Sequence, residues 1–227
     1  MENVQPDLIN HFSNIKKEDI KWKNIKAEGL DLEYATILKK NIAHELMKQL
    51  QNSVEYFKDE NLTKVKVFGK WHQIPREQSA YGDDGLKYKY SGITVYPKPW
   101  IEPLENTRNL IEKITGYRYN FVLINRYRNG LDYIGEHKDD EAELDIHTPI
   151  ASLSLGQHRD FVLRHENSRK RKLGSSSLPT VKLCLEHGSL LLMNYPTNKF
   201  WYHSLPQRKK VPGERINLTF RKIRNIL

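Results

Sequence analysis

The sequence predicts an α+β protein: a two-sheet sandwich or jelly roll with helices packed on one side. Two observations predict it. Apolar residues recur at helical spacing in two segments before residue 117. Beyond that point the chain is nearly all short strand-like runs, separated by Gly, Pro and Asn. A length of 227 residues is enough for one good core.

Taken in order, residues 1–30 are polar and mixed in charge, and read as a flexible N-terminal arm with a short helical turn. Residues 31–227 read as a single domain. Within 35–58, Ile37, Leu38, Ile42, Leu46, Leu50 and Val54 mark an amphipathic helix. A second helix fits 103–116, with Pro103 near its start and Gly116 at its end. "TKVKVFG" alternates as a strand. "YNFVLINRYRNG" is a buried-type strand ended by Asn129-Gly130, a hairpin signal. "PIASLSLG", "RDFVLRHE", "TVKLCLEHG", "SLLLMNYP" and "RINLTFRKI" follow as strands. Between them, 167–179 is a basic, Ser- and Gly-rich loop.

Composition narrows the function. Lys and Arg number 37 against 28 Asp and Glu, so the +9 balance favours a polyanionic partner, nucleic acid first. A single cysteine, Cys184, excludes a disulfide framework and a multi-cysteine zinc site. No apolar run approaches a membrane span, and "MENVQPDLINHF" is no secretory signal, so a soluble intracellular protein with no membrane partner is expected.

Against that basic background, "YIGEHKDDEAELD" holds six acids in thirteen residues, with His137 two places before Asp139. This is either a solvated acidic loop or a metal site. On an extended segment, residues i and i+2 point the same way, about 7 Å apart, and can converge on one ion. His203, in "FWYHSLP", offers a third ligand. Two imidazoles and one carboxylate form the facial triad of non-haem iron(II) oxygenases, which leaves positions open. Alone, H-x-D is a weak signal. Two features strengthen it. Arg215 and Arg221 share parity on "RINLTFRK", and a planar guanidinium suits a carboxylate co-substrate. Asn125 and Tyr127, in "LINRYRNG", are again i and i+2 and offer donors to the same ligand. Arg221 pairing only with a sheet carboxylate, and Tyr127 as a core tyrosine, stay open as bland readings.

In these segments the chain resembles the AlkB family of iron(II)/2-oxoglutarate dioxygenases, and within it the members acting on alkylated duplex DNA. The likeness runs from about Lys64 to Lys222, through "KVFGKWHQIPREQ", "YSGITVYPKPW", "NFVLINRYRNGLDYIGEHKDDE", "PIASLSLGQHRDFVLRH", "HGSLLLMNYPTNKFWYHSLP" and "RINLTFRK". It implies a double-stranded β-helix with N-terminal helices on one face and a nucleotide-recognition lid over about 60–100. It implies that His137, Asp139 and His203 hold Fe(II). Arg215, Asn217 and Arg221, helped by Asn125 and Tyr127, would bind 2-oxoglutarate. The implied reaction hydroxylates an N-alkyl group on a base such as N1-methyladenine or N3-methylcytosine. Aldehyde, succinate and carbon dioxide leave, and ascorbate serves as reductant in vitro.

A base in a duplex has to be flipped out to be reached. Phe68, in "KVFGKW", would then fill the gap as an apolar wedge. Tyr90 would stack on the flipped base, with Tyr88 and Ser91 lining the pocket and Arg76 touching the gap or the opposite strand. Asp140 would favour a cationic methylated base, while Glu143 and Asp145 read as solvated. Two basic loops, Arg169, Lys170, Arg171 and Lys172, and Arg208, Lys209 and Lys210, would straddle the backbones of double-stranded DNA. The first loop also reads as a nuclear localisation signal. A monomer working in the nucleus is expected. The first 30 residues lack the family's short clamp-binding motif, which puts a sliding-clamp interaction in doubt. The rival readings are a single-stranded DNA or RNA demethylase of the same family, and a non-catalytic nucleic-acid binder.

Overall fold

The computed structural model describes residues 5–67, 69–90, 93–169 and 178–224. The helices are α1 (Gln5–Asn14), α2 (Lys40–Ser53), the single turn α3 (Glu60–Thr63), α4 (Glu102–Thr115), and the single turns α5 (Glu166–Arg169) and α6 (Thr197–Phe200). The first strands are β1 (Lys23–Ala27), β2 (Leu30–Thr36), β3 (Lys64–Val67), β4 (Lys70–Gln73), β5 (Glu77–Gly82), β6 (Tyr88–Tyr90) and β7 (Ile93–Val95). There follow β8 (Phe121–Tyr127), β9 (Ile134–His137), β10 (Ile150–Gly156), β11 (Arg159–His165), β12 (Val181–Leu185), β13 (Ser189–Met193), β14 (Trp201–Leu205) and β15 (Arg215–Arg221).

Two antiparallel sheets face each other, as the jelly-roll reading requires. The larger runs β1-β2-β13-β10-β15-β8-β5, and the smaller β12-β11-β14-β9. Its central strands explain why. On β15 the apolar residues Ile216, Leu218 and Phe220 join a core with Leu46, Leu50, Leu104 and Ile111 from α2 and α4. The alternate residues Arg215, Asn217, Thr219 and Arg221 face the other sheet, yet are also buried. An ordinary half-buried strand turns such residues to water. Here both faces are covered, and the polar face becomes the lining of a cleft.

Helix α4 matches its sequence signals: Pro103 lies in the first turn, and Gly116 caps the end at φ +83°, where glycine carries no Cβ penalty. Three expectations need correction. The flexible arm is instead built into the fold: Leu8 and Phe12 of α1 enter the helix-side core, and β1 pairs with β2 at the sheet edge. The helix expected from 35 begins at Lys40, because "LDLEYAT" alternates Leu30 and Leu32 inward and pairs as β2 with β13. Asn129-Gly130 makes no hairpin, because β8 pairs with β15 and β5, while β9 joins the other sheet. Residues 60–100 hold the hairpins β3–β4 and β6–β7, with β5 between them a strand of the large sheet. Among the described residues no helix is long and apolar enough to cross a membrane.

Candidate active site

The cleft between the sheets has a volume of about 850 Å³ and is lined from both. In the small sheet, β14 pairs with β9 so that His203 sits opposite His137. Between His137 and Asp139 in the chain, the Lys138 ammonium is held by Glu166 Oε2 (2.9 Å) and the Lys199 carbonyl (2.6 Å). His137 and Asp139 both line the cleft, as the shared parity of an extended H-x-D predicts. The metal-ligating atoms of His137, Asp139 and His203 all lie within 4.8 Å of one another. Asp139 Oδ1 is 3.6 Å from His137 Nε2 and 3.9 Å from His203 Nε2.

Protonation suits a metal. His137 Nδ1 donates to the Gly135 carbonyl at 2.9 Å, which leaves Nε2 with a lone pair for an ion. Burial, then the neighbouring His137, lowers the His203 pKa to about 3, so this ring is neutral. Burial pulls Asp139 upward, but Arg221 and the two histidines outweigh it and hold the carboxyl well below its usual range. Arg221 Nη2 donates to Asp139 Oδ2 at 2.6 Å, leaving Oδ1 toward the imidazoles. The bland reading of Arg221 is thus partly correct: it does pair with a carboxylate, and that carboxylate belongs to the triad.

Cross-strand register assembles the second half of the site. Ser154, Asn217, Asn125 and Gln78 form one row across β10, β15, β8 and β5, and Tyr127 faces Arg215 in the next. Arg215 is 1% exposed and donates to Ser154 Oγ at 2.9 Å, while its Nε and Nη1 have no hydrogen-bond acceptor among the described residues. Burial lowers its pKa to about 10, still protonated at neutral pH. Among the described residues, Arg221 Nε and Nη1 likewise have no acceptor. Unsatisfied buried guanidinium donors are costly, and a carboxylate ligand is what they fit. Asn125 Oδ1 accepts from Arg76 Nε (2.7 Å) and Gln78 Nε2 (2.9 Å), which commits its oxygen and leaves its amide nitrogen for the cleft. Asn217 lines the cleft but is held by Ser152, Leu153 and Thr219.

Toward the cleft mouth, Tyr88 is fully buried and Arg221 lies over its ring at 5.5 Å. Asp140 is exposed at the rim, whereas Glu141 turns inward. Burial, and then the Asp139 charge, raise the Glu141 carboxyl to about 7. Sequence reasoning missed Glu141 and Gln78; the signal for Glu141 was the H-x-D-x-E alternation, which gives it the parity of the two ligands. Asp145, read as solvated, is partly exposed. It accepts from the His147 amide and from Thr148. Arg76, expected at the DNA gap, is tied to Asn125 and donates to the Tyr133 carbonyl at 3.3 Å. Phe68, Ser91, Lys170, Arg171 and Lys172 lie outside the described residues, as do the side chains of Tyr90 and Arg169. Lys209 and Lys210 are exposed; Arg208 is ion-paired with Asp160.

The profile of the 2OG-Fe(II) oxygenase superfamily matches residues 33–221. Human DNA oxidative demethylase ALKBH2 is 55% identical over 202 residues, covering 89% of this chain and 77% of that protein. The mouse protein of the same name is 52% identical, with coverages of 89% and 84%. Human alpha-ketoglutarate-dependent dioxygenase alkB homolog 3 is 39% identical over 67% of this chain and 53% of its own length. The solved structure of OsALKBH1 superposes with a TM-score of 0.57, covering 89% of this chain and all of that one, at 17% identity, a likeness of fold alone. The geometry of the triad fits iron, the chain belongs to the 2OG-Fe(II) oxygenase superfamily, and Fe(II) and 2-oxoglutarate are its cofactors.

Proposed function

We propose that the chain is a DNA oxidative demethylase that removes N-alkyl groups from bases such as N1-methyladenine and N3-methylcytosine, mainly in duplex DNA, after flipping the base. The observation that carries this is the continuity of one cleft. The triad, Arg215 and Arg221, and the Tyr88–Glu141 wall line the same volume of about 850 Å³, room for a co-substrate and a base together. The likeness to proteins named DNA oxidative demethylase supports the substrate class.

Each residue has a separable task. His137, Asp139 and His203 hold iron(II), which with 2-oxoglutarate and oxygen supplies the oxidation of the alkyl carbon. Arg215, fixed by Ser154 and flanked by Tyr127, takes a co-substrate carboxylate. Arg221 divides its donors between Asp139 and the cleft. Asn125, its oxygen committed to Arg76 and Gln78, offers its amide to the same ligand. Glu141 faces the methylated base, whose positive charge favours the ionised carboxylate beside it; Asp140, at the rim, has a weaker version of the same attraction. Tyr88 closes the wall behind the base, and Tyr90 stacks on it. Phe68 fills the gap in the duplex from the β3–β4 turn. Arg208, Lys209 and Lys210, with the 169–172 run, meet the phosphates. We also read the chain as a monomer, and as nuclear, which the basic run at 169–172 supports. A clamp interaction forms no part of this reading.

The test incubates the protein with iron(II), ascorbate, 2-oxoglutarate and a duplex carrying one N1-methyladenine, and follows loss of the methyl group by mass. Repair by wild type and none by His137→Ala is expected. A loss in Phe68→Ala confined to the duplex would support the wedge. Equal or faster repair of single strands by wild type would move the substrate to unpaired nucleic acid. No repair, no succinate and tight DNA binding would leave a non-catalytic binder.

A further inference from the structure

A third buried arginine stands behind the cleft. Arg159 begins β11, is 2% exposed, and has no ion pair among the described residues. Its guanidinium instead donates to three backbone carbonyls: Asn129 (3.2 Å), Asp132 (2.8 Å) and Pro206 (2.8 Å). The cation is thus placed not to neutralise a charge but to make three charge-assisted bonds to the backbone.

The three carbonyls belong to two loops. One is the 128–132 turn after β8, closed by Arg128, which donates to Asp132 through its backbone amide, Nε and Nη2. The other is the 206–211 loop after β14. The two loops also exchange backbone bonds, Arg208 N to Gly130 O at 2.7 Å and Gly130 N to Val211 O at 2.8 Å. They approach so closely that a Cβ on Gly130 would overlap the Arg208 carbonyl. Inward, this clamp meets the co-substrate end: the Tyr127 ring has Arg159 Cζ at 5.8 Å and Arg215 Cζ at 5.2 Å. Outward, it anchors Arg208, Lys209 and Lys210. Asp160, next to Arg159 in the chain, pairs with Arg208.

We propose that Arg159 is a positioning residue that joins the 2-oxoglutarate end of the cleft to the 206–211 loop as one unit, so that occupancy of either raises the affinity of the other. The physical basis is shared ordering. A ligand that immobilises the clamp bears the entropy cost, and the second ligand then meets a loop already ordered. Linkage makes the effect reciprocal and equal in both directions. The proposal rests on the reading of 206–211 as a DNA contact.

The test uses the full chain loaded with manganese(II), so that no turnover intervenes. Affinity for a duplex carrying N1-methyladenine is measured with and without saturating 2-oxoglutarate, and affinity for 2-oxoglutarate with and without duplex. Wild type is expected to show the same factor both ways, about five- to tenfold. Arg159→Lys keeps the charge but loses the planar fork, and is expected to reduce that factor to within about twofold of unity. Asp160→Asn, which frees Arg208 alone, is expected to change DNA affinity and leave the factor intact. No coupling in wild type, or full coupling in Arg159→Lys, overturns the proposal. Hydrogen exchange on wild type decides the matter if Arg159→Lys does not fold: 2-oxoglutarate slows the amides of Gly130, Arg208 and Val211, and unchanged exchange overturns it. A wild type that binds no duplex would sink the DNA reading instead, while the exchange result still judges Arg159.

Discussion

At Arg215 the fold spends stability on a binding group. The guanidinium is fully buried, it donates to a serine hydroxyl, and two of its nitrogens have no acceptor among the described residues. Replacing such a group with an apolar side chain of similar size is often neutral or stabilising by about 1–4 kcal/mol. Arg215→Met in the metal-free protein is therefore expected to melt at or above the wild-type temperature, yet to gain nothing on adding 2-oxoglutarate, whereas wild type rises. A marked fall in melting temperature would mean that Arg215 is structural. Glu141 makes a prediction of sign. Its folded pKa, about 7, lies above the ordinary glutamate value near 4.3. The neutral form is thus favoured by folding, full benefit is present below about pH 4, and it is lost as pH rises through 7. In the metal-free protein, Glu141→Gln should match wild type at pH 4 and exceed its stability at pH 8. Denaturant titrations at the two pH values measure this, and a variant less stable at pH 8 would refute it.

At the scale of elements, what the sequence disclosed depended on whether one face of each segment meets water. Helix α4 has a wet face, so its 3.6-residue rhythm, Pro103 and Gly116 could be read directly. Strand β15 has none: Arg, Asn, Thr and Arg alternate with apolar residues, yet both faces are buried, which the alternation alone does not disclose. The triad was legible because H-x-D is a local pattern. Its counterpart Gln78 was not, since the row joining it to Asn125 and Asn217 depends on register between strands far apart in sequence. The hairpin signal at Asn129-Gly130 misled for a related reason. Gly130 is needed for close approach to the 206–211 loop, and not for a two-residue turn. The N-terminal segment was misread because few of its side chains are apolar, although Leu8 and Phe12 are the ones that count. Leu8→Ala is expected to cost about 2–5 kcal/mol in urea unfolding, as a core truncation does. A cost near zero would restore the loose arm.

Over the whole molecule, the +9 charge acts at longer range than any single contact. Lys209 and Lys210 are exposed and carry no ion pair among the described residues, so their charge is free for phosphate. Replacing both with alanine should reduce the slope of log affinity for duplex against log salt by about 1.8, at about 0.9 per phosphate contact. The metal site and melting temperature should be unchanged. An unaltered slope would remove this loop from the DNA face.

The lone thiol offers a way to watch that loop. Cys184 is exposed on the edge strand β12, directly across from Asp160, the ion-pair partner of Arg208. One maleimide dye therefore yields a uniformly tagged population without any engineering, and the chromophore sits beside the basic loop. Burial and nearby carboxylates raise the thiol pKa, so conjugation will be slow at neutral pH and faster in mildly alkaline buffer. A dye placed there turns the arrival of DNA, and the release of Arg208 from Asp160, into an optical signal.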